Sequence, residues 1–314
     1  MRVETEAEEK HRHEWLLRLA AGSAPLRTAI VHPVDRLSLE GAVAAERAGL
    51  IVPVLVGPEA RIRTAAKEAG IDLGAYEIVP TEHSDAAAAA AVALARAGKV
   101  EALMKGALHT DELMAATVVP EIGLRTKRRM SHVFVIDVPG FPRPLLLTDA
   151  AINIYPTLEH KRDIVQNSID LAHAVGIERP RVAILSALET VTETIRSTID
   201  AASLCKMADR GQINGGVLDG PLAFDNAVSP EAAAAKGIAS PVAGMADILV
   251  VPDLESGNML AKQLDYLANA RIAGIVLGAR VPIILTSRAD GTEARLASAA
   301  LAVLLARYLL ARPK

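Results

Sequence analysis

The segment VPIILTSRADGTEARLA, residues 281–297, contains the pattern that decides the fold. Its first part, 281–285, is an apolar run without the polar alternation of a half-exposed strand. Such a run is typical of a strand that is buried on both faces of a parallel sheet. The polar residues that follow lead into an Ala- and Leu-rich stretch, and Asp290 with Glu293 three positions later forms the pattern of a capping box. The segment therefore predicts a strand, a polar turn and a helix.

The same pattern recurs outward along the chain. Ala-rich helical stretches end at a glycine, as Leu39–Ala48 does before Gly49, and alternate with short apolar runs. The predicted strands are 28–34, 52–56, 102–105, 132–138, 145–148, 182–185, 247–251, 274–277 and 281–285. This alternation predicts an α/β fold with helices on both faces of the sheet. The charged leader, with Trp15 and Leu16 as apolar anchors, predicts an amphipathic helix before the first strand.

The length of 314 residues predicts two domains, since domains commonly hold about 100–200 residues. Three prolines, Pro139, Pro142 and Pro144, cluster with Gly140 and indicate a hinge near residue 150. We expect the last strand and helix to return to the first domain. The expected first domain is thus 1–149 plus 287–314, and the second is 150–286.

Composition excludes several classes of function. The formal net charge is -3, with 34 basic and 37 acidic residues, whereas nucleic-acid-binding proteins usually carry a basic excess. Cys205 is the single cysteine, which excludes an internal disulfide framework and a CxxC zinc site and fits a reducing compartment. The leader lacks the apolar stretch of a signal peptide, and no apolar run reaches the ~18–20 residues of a spanning helix. We therefore expect a cytoplasmic protein that binds neither nucleic acid nor membrane.

Common catalytic motifs are missing from the sequence. No GxGxxG follows the first strand, and there is no P-loop, no HExxH and no GxSxG. The eight histidines are scattered, so we expect no metal site. Polar clusters remain at the ends of predicted strands, where ligands bind in open α/β sheets.

The cluster after the strand 281–285 contains Ser287 and Arg288. These residues are expected near a helix N-terminus, where free N–H groups favour an anion. The basic segment GLRTKRRMSH, 123–132, contains Arg125 and Ser131 and is a second candidate for binding phosphate. A strand–helix turn and a solvated charge run are the ordinary structural explanations of these two clusters.

Two further clusters combine glycines with polar side chains. GGVLDGPLAFDNAVSP, 215–230, contains Asp219 and Asp225, and ADILVVPDLESGNML, 246–260, contains Gly257 and Asn258. Glycines permit a close approach of backbone to ligand. Together the four clusters indicate a phosphorylated ligand, although the pattern alone does not name the reaction.

At these residues the sequence resembles the phosphate acetyltransferase and phosphate butyryltransferase family. The most specific segments are LDGPLAFDNAV (218–228), ADILVVPDLESGN (246–258) and PIILTSRAD (282–290). KGALHTDEL (105–113) and TDAAINIYPTLEHKRDIVQNSIDLA (148–172) match as well. The resemblance is strongest to the phosphate acyltransferase domain of bifunctional enoyl-CoA hydratase/phosphate acetyltransferase proteins. Too few residues precede Thr28 for a hydratase domain, so we expect that domain to be absent here.

The resemblance implies reversible transfer of a short acyl group, acetyl or butyryl, between coenzyme A and inorganic phosphate. It implies two α/β domains of the isocitrate/isopropylmalate dehydrogenase type, an active site in the cleft between them, and a homodimer. Coenzyme A and phosphate are substrates, and no metal or redox cofactor is implied. The family's catalytic serine–arginine pair falls on Ser287 and Arg288.

Chemical roles follow from these residue types. Arg288 offers a planar fork to the phosphate oxygens. The candidates for a second cation are Arg125, Arg128 and Arg129, and Arg125 is favoured because it is nearest to the preceding strand. Ser287 is expected to donate a hydrogen bond to the tetrahedral oxyanion. A covalent acyl-serine is the alternative, but no histidine is placed in the sequence to activate the serine. We therefore expect direct attack by the thiol in a ternary complex. The expected substrate-binding residues are Arg125, Ser131, Asp219, Asp225, Gly257 and Asn258.

The sequence departs from the acetyl-type pattern at two points. Acetyl-type members have an aspartate seven positions after the serine, where this chain has Ala294, and a cysteine in the segment that contains Ala150 and Ala151. These departures favour the butyryl-like or hydratase-fused branch. The base for the thiol stays open among phosphate itself and three carboxylates: Asp219, Asp225 and Asp290. A dehydrogenase of the same fold class that acts on a hydroxy acid, and a non-catalytic scaffold, also stay open.

Overall fold

The computed structural model describes residues 13–74, 76–287 and 290–311. The chain forms two compact units. One contains the residues up to Arg128 together with those from Ala273 onward, and the other spans Arg129–Ile272. Both units are α/β in architecture, as the alternation of apolar runs and Ala-rich stretches predicts.

The first unit has a six-stranded sheet in the order β3-β2-β1-β4-β11-β10. Its strands are parallel except for β10, which pairs with β11 in antiparallel orientation. The strands are β1 (Leu26–Val31), β2 (Ile51–Gly57), β3 (Glu77–Pro80), β4 (Ala102–Lys105), β10 (Arg271–Leu277) and β11 (Ile283–Ile284). The helices are α1 (Glu14–Ala20), α2 (Arg36–Arg47), α3 (Glu59–Ala69), α4 (Ser84–Arg96), α5 (Thr110–Val118) and α11 (Thr292–Ala311).

The second unit has a five-stranded sheet in the order β5-β6-β9-β7-β8. β5 and β6 form an antiparallel pair, and the other neighbours are parallel. The strands are β5 (Ser131–Asp137), β6 (Leu145–Thr148), β7 (Arg181–Leu185), β8 (Val217–Leu222) and β9 (Ile248–Val250). The helices are α6 (Leu158–Ala174), α7 (Arg196–Asp209), α8 (Phe224–Val228), α9 (Pro230–Ala235) and α10 (Leu254–Leu267).

Helix α11 belongs to the core of the first unit. Its buried residues, which include Arg295 and every residue from Ala297 to Leu305, pack against α1, α2 and β11. In the described part of the chain it is the one helix that is long and apolar enough to cross a membrane by length and composition. Because more than half of this apolar stretch is buried inside the unit, α11 is explained as a core helix.

Local chemistry explains where the helices begin and end. The Asp35 carboxylate accepts a hydrogen bond of 2.8 Å from the Ser38 N–H and caps the N-terminus of α2. Gly49 and Gly70 follow α2 and α3 with φ of 71° and 68°, the left-handed conformation that glycine adopts at least cost. The predicted capping box differs, because α11 begins at Thr292 and the Asp290 carboxylate accepts from the Ser287 N–H.

The structure differs from the sequence-based boundaries in two respects. The units divide at 128/129 and 272/273, whereas the proline cluster and the last strand indicated 149/150 and 286/287. The prolines lie in the connection between β5 and β6, which pair with each other and, through β6, with β9. The two strands β3 and β8 were not predicted. Both are partly exposed edge strands interrupted or ended by proline, so they lack a continuous apolar run.

Candidate functional site

The carboxyl ends of the parallel strands in the first unit lie at one edge of its sheet. Val31, the last residue of β1, pairs with Lys105 at the end of β4, and Met104 pairs with Ile284 of β11. Ser287 follows β11 after Leu285 and Thr286 and therefore lies at this edge, where the sequence predicts it. Ser287 is exposed, which a side chain that meets substrate requires.

The backbone around Ser287 is held by hydrogen bonds. Its N–H donates to Oδ2 of Asp290 at 2.7 Å, and its carbonyl accepts from the Asp290 N–H at 3.2 Å. These two bonds join Ser287 to Asp290. Arg288, the expected phosphate ligand, comes between them in the sequence and lies outside the described residues.

Arg295 is a buried residue at this edge that the sequence did not point to. Its guanidinium group donates to the carbonyl oxygens of Ser287, Asp290 and Lys105, and its side chain is 1 % exposed. Burial lowers the pKa of this guanidinium, and the negative charges of Asp35 and Asp290 oppose that effect. Arg295 thus joins the end of β4 to the loop that begins at Ser287.

Two buried polar atoms at the same edge, Nδ1 of His32 and Oγ1 of Thr286, have no hydrogen-bond partner among the described residues. His32 follows β1 and Thr286 precedes Ser287, so each comes after a strand that pairs with β4. Burial lowers the pKa of His32, and the positive charge of Arg61 lowers it further.

The basic segment 123–132 is divided between the two units. Arg125 belongs to the first unit, where its backbone pairs with Ala279 and its side chain is exposed. Arg129 belongs to the second unit, where its Nε donates to Oδ1 of Asn153 at 2.7 Å. An exposed guanidinium that is held at Nε presents its outer nitrogens to an anion with little loss of side-chain entropy.

In the second unit, a polar turn follows β6 at the carboxyl edge. The Asp149 carboxylate accepts hydrogen bonds from the N–H groups of Ala151, Ile152 and Asn153, and from Nδ2 of Asn153. Burial raises the pKa of Asp149, while these hydrogen bonds oppose the shift. The turn fixes the amide of Asn153, which in turn holds Arg129.

Three of the predicted binding residues lie around this region of the second unit. Ser131 is buried, and its Oγ accepts from Nδ2 of Asn167 at 2.8 Å. Nδ2 of Asn258 donates to the Ala150 carbonyl at 3.2 Å. A Cβ at Gly257 would lie 2.7 Å from Cγ2 of Val251 and 3.0 Å from Cβ of Ala150, so glycine is needed for α10 to pack here. Gly257 and Asn258 therefore support the turn after β6.

Asp219 and Asp225 lie apart from that turn. Asp219 is inside β8, opposite Ala183, and its carboxylate accepts from the Gly220 N–H at 2.9 Å. Asp225 is exposed on α8 and forms an ion pair of 3.7 Å with Lys236. Asp219 does not follow the end of its strand, so the sequence-based expectation that this carboxylate belongs to a strand-end cluster is wrong in that respect.

Within residues 13–74, 76–287 and 290–311, no group of three or more His, Cys, Asp or Glu side chains is arranged to hold a metal ion. What both units provide is hydrogen-bond donors at the carboxyl edge of a largely parallel sheet. This is the arrangement of α/β proteins that bind their ligands beyond the ends of the strands. The exposed Ser287 and the arginines fit an anionic ligand rather than a hydrophobic one.

Comparisons with known proteins identify the family. The family model for phosphate acetyl/butaryl transferase matches residues 84–303, and the chain belongs to this family. It is 63% identical over 295 residues to a phosphate acetyltransferase of Rhizobium meliloti, covering 94% of this chain and 93% of that protein. It is 44% identical over 280 residues to a phosphate butyryltransferase of Clostridium acetobutylicum, covering 89% and 93%. The members of this family are acyltransferases.

Solved structures agree with this assignment. A branched-chain phosphotransacylase from Enterococcus faecalis V583 has a TM-score of 0.77 and 30% identity, covering 89% of this chain and 99% of that one. The 4-hydroxythreonine-4-phosphate dehydrogenase from Klebsiella pneumoniae has a TM-score of 0.56 at 13% identity, covering 90% and 99%. The second likeness concerns the fold alone. It confirms the predicted dehydrogenase-like fold class.

Proposed function

We propose that this protein is a phosphate acyltransferase that moves a short acyl group, in first place acetyl, between coenzyme A and inorganic phosphate. The observation that carries the proposal is the 63% identity over 94% of the chain to a phosphate acetyltransferase. The 44% identity to a phosphate butyryltransferase is lower over a similar length. Acetyl is therefore preferred over butyryl, although the departures at Ala294 and at Ala150 and Ala151 favoured the butyryl-like or hydratase-fused branch.

The reaction needs no external oxidant or cofactor. The coenzyme A sulfur attacks the carbonyl carbon of the acyl phosphate, and the C–S bond forms. The bond between the carbonyl carbon and the bridging oxygen breaks, and that oxygen stays bound to phosphorus. The electron pair of that bond leaves with the phosphate, which also receives the thiol proton. Acyl phosphate and thiol thus give thioester and hydrogen phosphate, and every step reverses.

Ser287 is proposed to stabilise the tetrahedral oxyanion of this reaction. Ser287 is exposed at the carboxyl edge and its backbone is held by Asp290 and Arg295, so the point from which its side chain extends is fixed before substrate arrives. Oriented donors stabilise developing charge more effectively than water does. Arg288 is proposed from the sequence as the phosphate ligand, since a guanidinium binds two oxygens of the anion at once.

A second cation is proposed for the phosphate groups of the substrates. Arg125, favoured by its position in the sequence, is exposed in the first unit. Arg129 has the additional support of the Asn153 amide. The proposed substrate contacts of Ser131, Asp219, Asp225, Gly257 and Asn258 stay predictions, and the packing of Gly257 and Asn258 on Ala150 favours an indirect role for these two.

We propose that phosphate itself takes the thiol proton. The Asp290 carboxylate accepts from the Ser287 N–H, and Asp225 is paired with Lys236. Asp219 lies within a strand. Each candidate carboxylate either has another hydrogen-bond or ion-pair partner or lies within a strand. The departing phosphate becomes basic at the point where the thiol releases its proton, so it is the proposed acceptor.

The assembly and compartment are also proposals. We expect a homodimer, from the family resemblance, and a cytoplasmic location, from the single cysteine and the substrates. Light scattering that gives the mass of one chain at micromolar concentration would reject the dimer. We expect activity without an added metal or redox cofactor, and activity that disappears on treatment with a chelator would contradict this expectation.

The deciding experiment measures release of free thiol from acyl-CoA in the presence of phosphate. Acetyl-, propionyl- and butyryl-CoA are compared at equal concentration, each with and without phosphate. We expect phosphate-dependent release that is fastest with acetyl-CoA. Release that does not depend on phosphate would indicate hydrolysis, and no release with any of the three thioesters would refute the proposed function.

A further inference from the structure

Arg295 is among the largest fully buried side chains of the chain. It lies in the first turn of α11, between Ala294 and Leu296, where an aliphatic residue would fit the composition of the helix. A buried guanidinium loses its hydration and is tolerated when other groups satisfy its donors. Arg295 is therefore held here by the groups that accept its hydrogen bonds.

The three hydrogen bonds of Arg295 all go to backbone carbonyl oxygens. Nε donates to the Asp290 carbonyl at 3.3 Å and Nη2 donates to the Ser287 carbonyl at 3.4 Å. These two acceptors are the described ends of the loop that follows β11. Nη1 donates to the Lys105 carbonyl at 3.2 Å, at the end of the neighbouring strand β4. A planar fork with fixed donors is required to reach three carbonyls at once, and only arginine has it.

Gly41 provides the space for this side chain. A Cβ at position 41 would lie 2.5 Å from Cδ of Arg295 and 3.1 Å from its Cβ. Gly41 is a buried residue in the interior of α2, where glycine is less favourable than alanine. The glycine at position 41 makes helix α2 less stable than alanine would, and it leaves room for the aliphatic stem of Arg295.

We infer that Arg295 is a positioning residue, which acts on the reaction through Ser287 and does not touch substrate. The inference rests on the proposed function of the same loop. Arg295 fixes the backbone of Ser287 against β4, and this fixes the direction in which the hydroxyl meets the oxyanion. The hydrogen bond from Ser287 to the oxyanion forms only in the transition state. Loss of Arg295 is therefore expected to change kcat and to leave substrate binding almost unaltered.

The test is a double-mutant cycle with Arg295→Lys and Ser287→Ala. Lysine keeps the positive charge and the stem but loses the fork. We expect Arg295→Lys to lower kcat by about 10- to 100-fold, with both KM values within about twofold, because a loosened oxyanion donor acts only in the transition state. In the Ser287→Ala background the same change is expected to lower kcat by less than about threefold, because coupled residues are not additive.

Either of two results in this cycle would overturn the inference: an Arg295→Lys variant with wild-type kcat, or full additivity of the two losses. Arg307→Lys is the matched control, since Arg307 lies on the same helix and donates to Oγ of Ser23 at 2.7 Å, away from Ser287. It is expected to leave kcat unchanged.

If Arg295→Lys does not fold, Gly41→Ala displaces the arginine stem instead and is expected to produce the same loss in kcat. A soluble Gly41→Ala variant with unchanged kcat would also overturn the inference.

Failure of the proposed function is distinguishable from failure of this inference. A wild-type protein without phosphate-dependent thiol release refutes both. An active wild-type protein in which the losses are additive refutes the positioning role alone.

Discussion

Nε of Arg129 donates to Oδ1 of Asn153 at 2.7 Å, and this bond fixes the direction of an exposed guanidinium. The amide of Asn153 has little freedom, because its Nδ2 donates to the Met130 carbonyl at 2.9 Å and to the Asp149 carboxylate. The buried Asp149 carboxylate thus holds the Asn153 amide, and this amide holds the exposed Arg129 guanidinium. Sequence alone favoured Arg125 for this role.

The first prediction concerns that cation. Arg129→Ala is expected to raise the KM of an anionic substrate by roughly 10- to 150-fold, since a hydrogen bond to a charged group contributes about 1.5–3 kcal/mol. Asn153→Ala is expected to raise the same KM by a smaller factor, because it loosens Arg129 without removing it. Steady-state kinetics with phosphate and coenzyme A varied separately will measure both effects.

Arg179→Ala is the control for this prediction, because Arg179 is an exposed arginine that precedes β7 at the opposite edge of the same sheet. Arg125→Ala is measured alongside. A normal KM in Arg129→Ala with a raised KM in Arg125→Ala would show that the sequence-based choice was the better one.

The second prediction concerns Arg288. Arg288→Ala is expected to raise the phosphate KM and lower turnover, by roughly 10- to 150-fold in kcat/KM, because one charge-assisted contact is lost. Folding is expected to stay intact by circular dichroism. Arg63→Ala, which removes a surface arginine paired with Glu59, is the control in the same unit. Wild-type kinetics toward phosphate in Arg288→Ala would remove this residue from the site.

The third prediction concerns the alanine at the acetyl-type base position. Ala294→Asp is expected to leave kcat unchanged or to lower it, because a new anion near bound phosphate costs about 1–4 kcal/mol at ~4 Å for dielectric constants of 80 down to 20. Ala294→Asn has the same shape without the charge and separates the two effects. Since a general base typically contributes ~10²–10⁴-fold, a rise in kcat of that size would establish that a carboxylate base is needed here.

The fourth prediction concerns the single cysteine. Burial raises the pKa of Cys205 to about 12, and the negative charges of Asp219 and Asp209 act in the same direction. At pH 8 very little thiolate is present, so the native protein is expected to react slowly with a disulfide reagent such as DTNB. Unfolding in guanidinium chloride is expected to release one reactive thiol per chain.

Cys205→Ser serves as the blank for this titration and for the thiol-release assay. Rapid, stoichiometric labelling of the native protein at pH 8 would contradict the raised pKa of Cys205.

Much of the fold follows from the sequence because the central strands are buried on both faces. β4 and β6 are buried apolar runs that end in one polar residue each, and their bounds match the prediction. The edge strands β3 and β8 gave no such signal, because one face of an edge strand meets solvent and tolerates proline and glycine. The proline cluster was a connection within one sheet and had no bearing on the division between the units.

The candidate site was predictable only in part, for a physical reason. Ligands bind at the carboxyl ends of parallel strands, and the residues at these ends are those that follow each strand in the sequence. This rule predicts that Ser287 and Asn258 lie at that edge. Arg295 could not be found in this way. An arginine in an Ala- and Leu-rich helix has the pattern of a surface residue, and its acceptors at Lys105 and Ser287 come together only in the folded chain.

The position of β11 between β4 and β10 has a consequence for synthesis on the ribosome. The strands β1 to β4 emerge first, but the strand and helix that complete their sheet and core emerge only after the whole of Arg129–Ile272. The second unit has all its strands in one continuous stretch of chain. It can therefore fold before β11 and α11 complete the first unit. During that interval β4 has an unpaired edge, and unpaired edges template aggregation. A nascent chain that pauses within the second unit therefore keeps this edge of β4 unpaired for the longest time.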